Sequence, residues 1–143
     1  RRDRFSSALQ RLMAHAESAT RNNSKATLVL AIDYGGRWDI THAARLLAQQ
    51  VIEGTRSVDS IDESAVQTLL SLADLPAPDL CIRTGGELRI SNFLIWQLAY
   101  CELYFTDCLW PDFNADTIKL ACAEYARRER RFGLRALSTT GAT

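Results

Sequence analysis

Two short apolar runs of this chain each end in a pair of glycines, and this repeated pattern constrains the fold most strongly. Residues 26–32 (ATLVLAI) lead into Gly35-Gly36, and residues 80–82 lead through Arg83 into Gly85-Gly86. Continuous apolar runs are typical of parallel strands that are covered on both faces. In such sheets, ligands bind beyond the carboxyl ends of the strands. The sequence therefore predicts an α/β fold, a parallel sheet flanked by helices, with a binding site at these ends.

The residues around the second glycine pair are of the types that form anion-binding sites. Arg83 follows the apolar run, and Arg89 precedes Ser91, where helical spacing of apolar residues begins and continues to Tyr100. Glycines allow a close backbone approach, and a helix start offers free N–H groups to an anion. Arginine adds a planar donor fork that matches phosphate oxygens. We therefore expect a strand, a phosphate-binding turn, a helix and then a second strand at residues 103–105.

Helical spacing elsewhere predicts four further helices. The first covers residues 1–20 and is interpreted as a packing helix. Asp39 is predicted to cap the second, which ends at Gly54. A capping box at residues 60–63 opens the third, and the last begins at Asp116.

Composition excludes several classes of protein. The chain has 17 basic and 17 acidic residues, which argues against a broad nucleic-acid-binding or membrane-binding surface. Its four cysteines form no Cys-x-x-Cys pair and lie apart from both histidines, so a zinc site is not expected. Each cysteine lies among apolar residues, which favours buried, reduced thiols in the cytoplasm. No apolar run is long enough to be a transmembrane segment.

Three blocks of the sequence resemble a known family. They are IRTGGELRISNFLIWQLAYCELYFTDCLWPDF at residues 82–113, AIDYGGRWDI at residues 31–40 and RERRFG at residues 128–133. Together they are similar to the cis-prenyltransferases (isoprenyl transferases), and most similar to the bacterial undecaprenyl diphosphate synthases among them. Where the family usually has asparagine, this chain has Asp33, and no specific role is predicted for it.

The resemblance implies a reaction and a set of site residues. An allylic diphosphate such as farnesyl diphosphate would condense repeatedly with isopentenyl diphosphate, with cis geometry, to give a long-chain polyprenyl diphosphate such as undecaprenyl diphosphate. This lipid-carrier precursor for cell-wall synthesis would be delivered to the membrane. The implied binding residues are Arg83, Arg89 and Ser91 in one subunit of a homodimer, with Arg131 and Gly133 of the other. Glu102 would bind Mg²⁺, although its apolar surroundings equally fit an ion pair with an arginine.

The family's catalytic aspartate belongs to an Asp-Gly-Asn block, which does not occur in this chain. We therefore expect no catalytic residue here, and interpret residues 1–135 as the C-terminal part of a single domain that is inactive by itself. Residues 136–143 are expected to be a disordered tail. Two alternatives are a non-catalytic partner subunit and a phosphate-binding regulatory domain. Product length stays open, because the apolar residues of a chain-binding tunnel resemble those of any core.

Overall fold

A computed structural model describes residues 1–128 of the 143-residue chain. Arg131, Gly133 and the tail at residues 136–143 lie outside the described residues. The described part contains four α-helices and two strands, together with three short 3-10 turns. In chain order, the helices and strands are α1 (Ser7–Thr20), α2 (Gly36–Ile52), α3 (Glu63–Gln67), β1 (Leu80–Arg83), β2 (Glu102–Phe105) and α4 (Ala115–Ala126).

The chain divides into two compact units. The first contains residues 1–76 and 92–96, and the second contains residues 77–91 and the chain from residue 97 onward. The segment at residues 92–96 therefore belongs to the first unit, although the chain on both sides of it belongs to the second.

In the first unit, α2 packs against α3. Apolar side chains recur along one face of α2 at helical spacing, as predicted, and Ala43 and Leu47 on that face are buried. The other buried apolar residues of this unit are Ala65, Leu70 and Leu94.

Asp39 is a buried side chain within α2, and its predicted role as the helix cap is wrong. The helix begins at Gly36, so Asp39 lies inside its first turns, and the side chain is 1% exposed. Its carboxylate accepts hydrogen bonds from the Tyr34 hydroxyl at 3.0 Å, the Ser71 hydroxyl at 2.8 Å and the Ser71 amide at 3.0 Å. These bonds offset the cost of burying a charged group and join α2 to the segment after α3.

In the second unit, β1 and β2 pair in parallel, so the predicted parallel sheet is confirmed. Leu80 lies opposite Glu102, and Arg83 lies opposite Phe105. The fourth helix packs against β2 and buries Ala121 completely. Asn114 caps α4 by accepting hydrogen bonds from the amides of Asp116 and Thr117, so this helix begins slightly earlier than predicted.

The predicted strand at residues 26–32 is wrong for the described part of the chain. These residues form no strand or helix, and Leu28 and Leu30 are 83% and 70% exposed. An apolar run becomes a buried parallel strand only when neighbouring strands pair with it. The described residues provide no such neighbour.

The predicted helix from Ser91 to Tyr100 is also wrong, because this segment is a series of turns. Ser91 and Leu94 have φ values of 55° and 43°, which a right-handed helix cannot accommodate. The spacing of apolar residues nevertheless reflects burial, since Leu94 and Leu98 are both buried.

The first helix is shorter and more exposed than expected. Ser6 caps it by accepting a hydrogen bond from the amide of Leu9, and no residue of α1 is buried. Leu12, in the predicted inner stripe, is 65% exposed. The interpretation of α1 as a packing helix is therefore wrong within residues 1–128.

All four cysteines are free thiols. Three are half-buried, but Cys122 is exposed, which corrects the expectation that every cysteine is buried. Among residues 1–128, none of the helices has both the length and the apolar character that a membrane crossing requires.

Candidate anion-binding site

The Gly85-Gly86 turn has a backbone conformation that requires glycine. The two residues have φ values of 86° and 74°, in the left-handed region that side chains disfavour. The Gly85 amide donates to the Cys108 carbonyl at 2.9 Å, and the Gly86 amide donates to the Thr106 carbonyl at 3.0 Å. A Cβ at Gly86 would lie 3.0 Å from a carboxylate oxygen of Asp107. The turn after β1 is thus held against the segment after β2.

These bonds correct the expected chemistry of the turn. Both glycine amides already donate to carbonyl groups, so they are not free to bind an anion as the sequence suggested. The turn instead fixes the backbone just after Arg83, and these two amides do not contribute to anion binding.

The structure brings the two predicted arginines together. Arg83 is the last residue of β1, and its Nη2 donates to Oε2 of Glu87. Arg89 donates through its own Nη2 to Oε1 of the same carboxylate at 2.6 Å. Both guanidinium groups therefore meet at one carboxylate, a side chain of the turn itself, whereas the predicted anion was a bound phosphate.

The electrostatics of this cluster favour further anion binding. The hydrogen bond from Arg83 lowers the pKa of Glu87, partial desolvation opposes this shift, and the positive charge of Arg89 adds to it. Glu87 is therefore ionised at neutral pH, and the two arginines retain a net positive charge. Nε of Arg83 is buried and has no hydrogen-bond partner among residues 1–128. An unpaired buried donor costs free energy.

Ser91 is exposed and lies at a turn rather than at a helix start. Within the described residues, no hydrogen bond joins it to Arg83 or Arg89. Its hydroxyl can still donate to a ligand, but the predicted contribution of a helix N-terminus does not exist here.

Glu102 forms the ion pair that the sequence left open as an alternative. Arg128 donates to Oε2 of Glu102 at 2.8 Å, to the Leu103 carbonyl at 2.9 Å and to Glu124 at 2.7 Å. Hydrogen bonds to Glu124 and then Glu102 raise the pKa of Arg128 above its already high ordinary value. No group of three potential metal ligands occurs in the part of the chain that the structure describes.

The sheet register separates Glu102 from the arginine pair. Glu102 begins β2 opposite Leu80, whereas Arg83 ends β1 opposite Phe105. The two side chains therefore start from opposite ends of the strands, about 10 Å apart along the strand direction at ~3.3 Å per residue. The structure joins Arg83 to Arg89 but does not join Glu102 to them.

The other glycine pair serves packing in the described structure. The Gly36 amide donates to the Asn92 carbonyl at 2.7 Å, and the Arg37 amide donates to Oδ1 of Asn92 at 2.9 Å. A Cβ at Gly36 would lie 2.9 Å from the Ile95 side chain. The first amides of α2 are thus bonded to Asn92, a contact that no local sequence pattern indicates.

Asp33, the residue without a predicted role, pairs with an arginine. Nη1 of Arg4 donates to both of its carboxylate oxygens at 3.0 Å, and Nε of Arg1 lies 3.9 Å from Oδ2. Its φ of 52° is a conformation that Asp and Asn adopt more readily than most residues. The acid therefore fits the same backbone as asparagine and adds an ion pair.

Comparisons with known proteins identify the family of this chain. The family model described as "Putative undecaprenyl diphosphate synthase" matches residues 1–133. The chain belongs to this family. The resemblance to the undecaprenyl diphosphate synthases in the sequence is thereby confirmed.

Individual members of the synthase family are similar over nearly the whole chain. A ditrans,polycis-undecaprenyl-diphosphate synthase ((2E,6E)-farnesyl-diphosphate specific) of Pseudomonas syringae is 54% identical over 132 residues, covering 92% of this chain and 53% of that protein. Its counterpart in Xanthomonas axonopodis is 55% identical over 133 residues, covering 93% of this chain and 52% of that protein. The chain thus spans about half the length of these curated relatives.

Solved structures of the synthase family show the same fold. Lavandulyl diphosphate synthase from Lavandula x intermedia, solved with dimethylallyl diphosphate, matches with a TM-score of 0.87 and 41% identity, covering 92% of this chain and 57% of that one. A probable undecaprenyl diphosphate synthase from Campylobacter jejuni matches with a TM-score of 0.75 and 33% identity, covering 93% of this chain and 60% of that one. The predicted fold class is therefore confirmed.

Sequence reasoning missed Glu87. The signal was present, since a single acid stands between two arginines next to a glycine turn. An acid does not itself bind phosphate, so residue type alone does not mark Glu87 as part of an anion-binding site.

Proposed function

We propose that the protein containing this chain is a cis-prenyltransferase that condenses isopentenyl diphosphate onto farnesyl diphosphate to make a long-chain polyprenyl diphosphate such as undecaprenyl diphosphate. Family membership supports the reaction class, and the named function of the bacterial relatives supports the substrates. The observation in this chain that carries the proposal is the convergence of Arg83 and Arg89 on one anion.

The arginine pair is suited to bind the diphosphate of isopentenyl diphosphate. Each guanidinium group has five N–H donors and stays charged at any working pH. Arg83 is 35% exposed and Arg89 is 64% exposed, so a ligand can reach both side chains. We assign them, with the Ser91 hydroxyl, to hold this substrate while its double bond attacks the allylic carbon.

Arg131 and Gly133 complete the proposed site from the other subunit of a homodimer. Their assignment depends on the Arg-x-Gly pattern of the sequence alone, because they lie outside the described residues. Leu109 and Trp110, which are 59% and 74% exposed, support a homodimer because they offer apolar surface for a partner.

Glu102 fits a role as one ligand of Mg²⁺. A magnesium ion commonly takes only one or two protein carboxylates and completes its octahedron with phosphate oxygens and water. Arg128 bonds to Oε2 of Glu102, and Oε1 accepts no hydrogen bond among residues 1–128, so Oε1 is available. When bound, Mg²⁺ would neutralise charge that develops on the departing diphosphate. We further propose that the protein acts in the cytoplasm and delivers its product to the membrane.

A direct assay tests the proposed function. The full-length protein is incubated with labelled isopentenyl diphosphate, farnesyl diphosphate and Mg²⁺, and the dephosphorylated products are separated by chain length. The proposal predicts long polyprenols that form only when the allylic primer is present. If no label enters a longer chain, the protein is not a synthase, and the non-catalytic alternatives replace this proposal.

A further inference from the structure

We propose that Glu87 is a positioning residue that holds Arg83 and Arg89 at the separation needed to bind a diphosphate. This inference rests on the proposed function, since it concerns the same site. The two carboxylate oxygens each accept one bond, Oε2 from Arg83 and Oε1 from Arg89. One rigid carboxylate thus links two long side chains that reach it from either side along the sequence.

Glu87 is held in position by backbone hydrogen bonds of the turn. It follows Gly86 directly, and the amides of Gly85 and Gly86 are bonded to carbonyls after β2. Arg83 is likewise fixed at its backbone, because its carbonyl accepts the Thr106 amide at 3.0 Å. Within residues 1–128 the Arg89 backbone forms no such hydrogen bond, and its side chain is 64% exposed. The bond to Glu87 is therefore what orders the Arg89 guanidinium group beside that of Arg83.

Glu87 leaves most of the arginine donors available. Each guanidinium group has five N–H groups, and the carboxylate uses one from each arginine. A phosphate can therefore bind to the remaining donors while the bridge through Glu87 persists. Ordering the two forks before the ligand arrives removes part of the entropy cost of binding.

If Glu87 instead competes with the substrate for the arginines, removing its charge would have the opposite effect on diphosphate binding. If its carboxylate only occupied the place of the ligand, the substrate would have to displace it, and removing its negative charge would strengthen diphosphate binding. A positioning role predicts weaker binding after the same change, despite the gain in local positive charge. The sign of the effect therefore separates the two roles.

The experiment measures binding of isopentenyl diphosphate alone to the full-length protein by calorimetry. Glu87→Ala removes both acceptors and should raise the Kd about tenfold, equivalent to losing one hydrogen bond between charged groups. Glu87→Gln keeps one acceptor oxygen and should raise the Kd by less. Glu17→Gln is the matched control, because it breaks an exposed ion pair between Glu17 of α1 and Arg2 and should leave the Kd unchanged.

Steady-state kinetics give a second readout. The KM for isopentenyl diphosphate should rise in both Glu87 variants, while kcat and the KM for farnesyl diphosphate change less. Unchanged or tighter binding in Glu87→Gln would overturn the positioning role. Absence of binding by the unaltered protein would instead overturn the proposed function. If Glu87→Ala does not fold, the Gln variant alone decides, since it preserves size and shape.

Discussion

Arg83 and Arg89 lie on either side of a glycine turn and donate to opposite oxygens of the Glu87 carboxylate. The turn is held by two amide bonds to the segment after β2, so the backbone under this cluster is tied to the parallel pair of β1 and β2. The cluster therefore depends on the fold, and its charge, stability and affinity for anions can be tested separately.

The carboxylate bridge should make stability depend on pH. The pKa of Glu87 is lowered in the folded protein, chiefly by the hydrogen bond from Arg83. A lowered pKa gives stability that is present above the ordinary pKa of the group and is lost as the pH falls through the folded-state value. We expect the difference in unfolding free energy between the unaltered protein and Glu87→Gln to shrink from about pH 7 to about pH 3.

Urea titrations of the full-length protein at each pH measure this difference. A background in which Arg83 and Arg89 are both replaced by glutamine is the control, since Glu87 then has no cationic partner. A difference that stays constant with pH in the arginine-containing protein would contradict the bridge.

The buried carboxylate of Asp39 should contribute strongly to stability. Asp39→Asn keeps the shape but turns an amide donor toward Tyr34 or Ser71, whose groups already donate to the carboxylate. We expect the free energy of unfolding to fall by about 1–3 kcal/mol. Tyr34→Phe, which removes one donor, should cost about 1 kcal/mol. Denaturant unfolding measures both, and an unaffected Asp39→Asn protein would show that these hydrogen bonds contribute little.

The sequence predicted the parts of the fold that depend on local pattern. The apolar run before Arg83 and the one after Glu102 became a parallel pair, and the convergence of Arg83 and Arg89 followed from their places around the turn. Asp39 was assigned as a helix cap because aspartate is common at helix starts. The helix begins earlier, at Gly36, and the preference of aspartate for that position does not reveal this.

The sequence-based predictions that were wrong or missing mostly concern contacts between residues that are distant in sequence. Helical spacing after Ser91 could not reveal that Asn92 bonds to the start of α2, more than fifty residues earlier. The pattern of residues 26–32 is that of a covered strand, but strand formation depends on neighbours that no local pattern specifies. Glu87 stands between two arginines in the sequence, but residue order does not specify that each of its carboxylate oxygens contacts one of them.

Glu102 gives the test for the proposed magnesium site. Glu102→Gln should preserve the fold but lower turnover of the full-length protein, because an amide is a weaker Mg²⁺ ligand than a carboxylate. Raising the Mg²⁺ concentration should restore part of the rate. Arg128→Gln is the comparison variant, since it removes the ion-pair partner of Glu102 and leaves the Glu102 carboxylate in place. Full activity of Glu102→Gln at low Mg²⁺ would assign Glu102 to the ion pair alone.

Arg131 tests whether the proposed sites are shared between subunits. Subunits carrying Arg131→Ala are mixed with subunits inactivated at the family's catalytic aspartate, and the activity of the mixed dimers is measured. If Arg131 acts across the interface, each mixed dimer retains at most one intact site, so activity reappears on mixing two inactive proteins. No recovery, or an active monomer in sedimentation, would contradict the shared arrangement.

We propose that Arg83 and Arg89 bind the diphosphate of isopentenyl diphosphate. Arg83→Ala and Arg89→Ala each remove hydrogen bonds to a charged group, which contribute about 1.5–3 kcal/mol. Lysine at either position should restore only part of the affinity, because a point charge cannot reproduce the planar fork.

The most direct measurement is the pair of Michaelis constants for the two substrates in each alanine variant of the full-length protein. We expect the KM for isopentenyl diphosphate to rise roughly ten- to a hundredfold, while the KM for farnesyl diphosphate changes much less. An equal rise for both substrates would indicate a general folding defect. No rise for either substrate would exclude the arginine pair from the site.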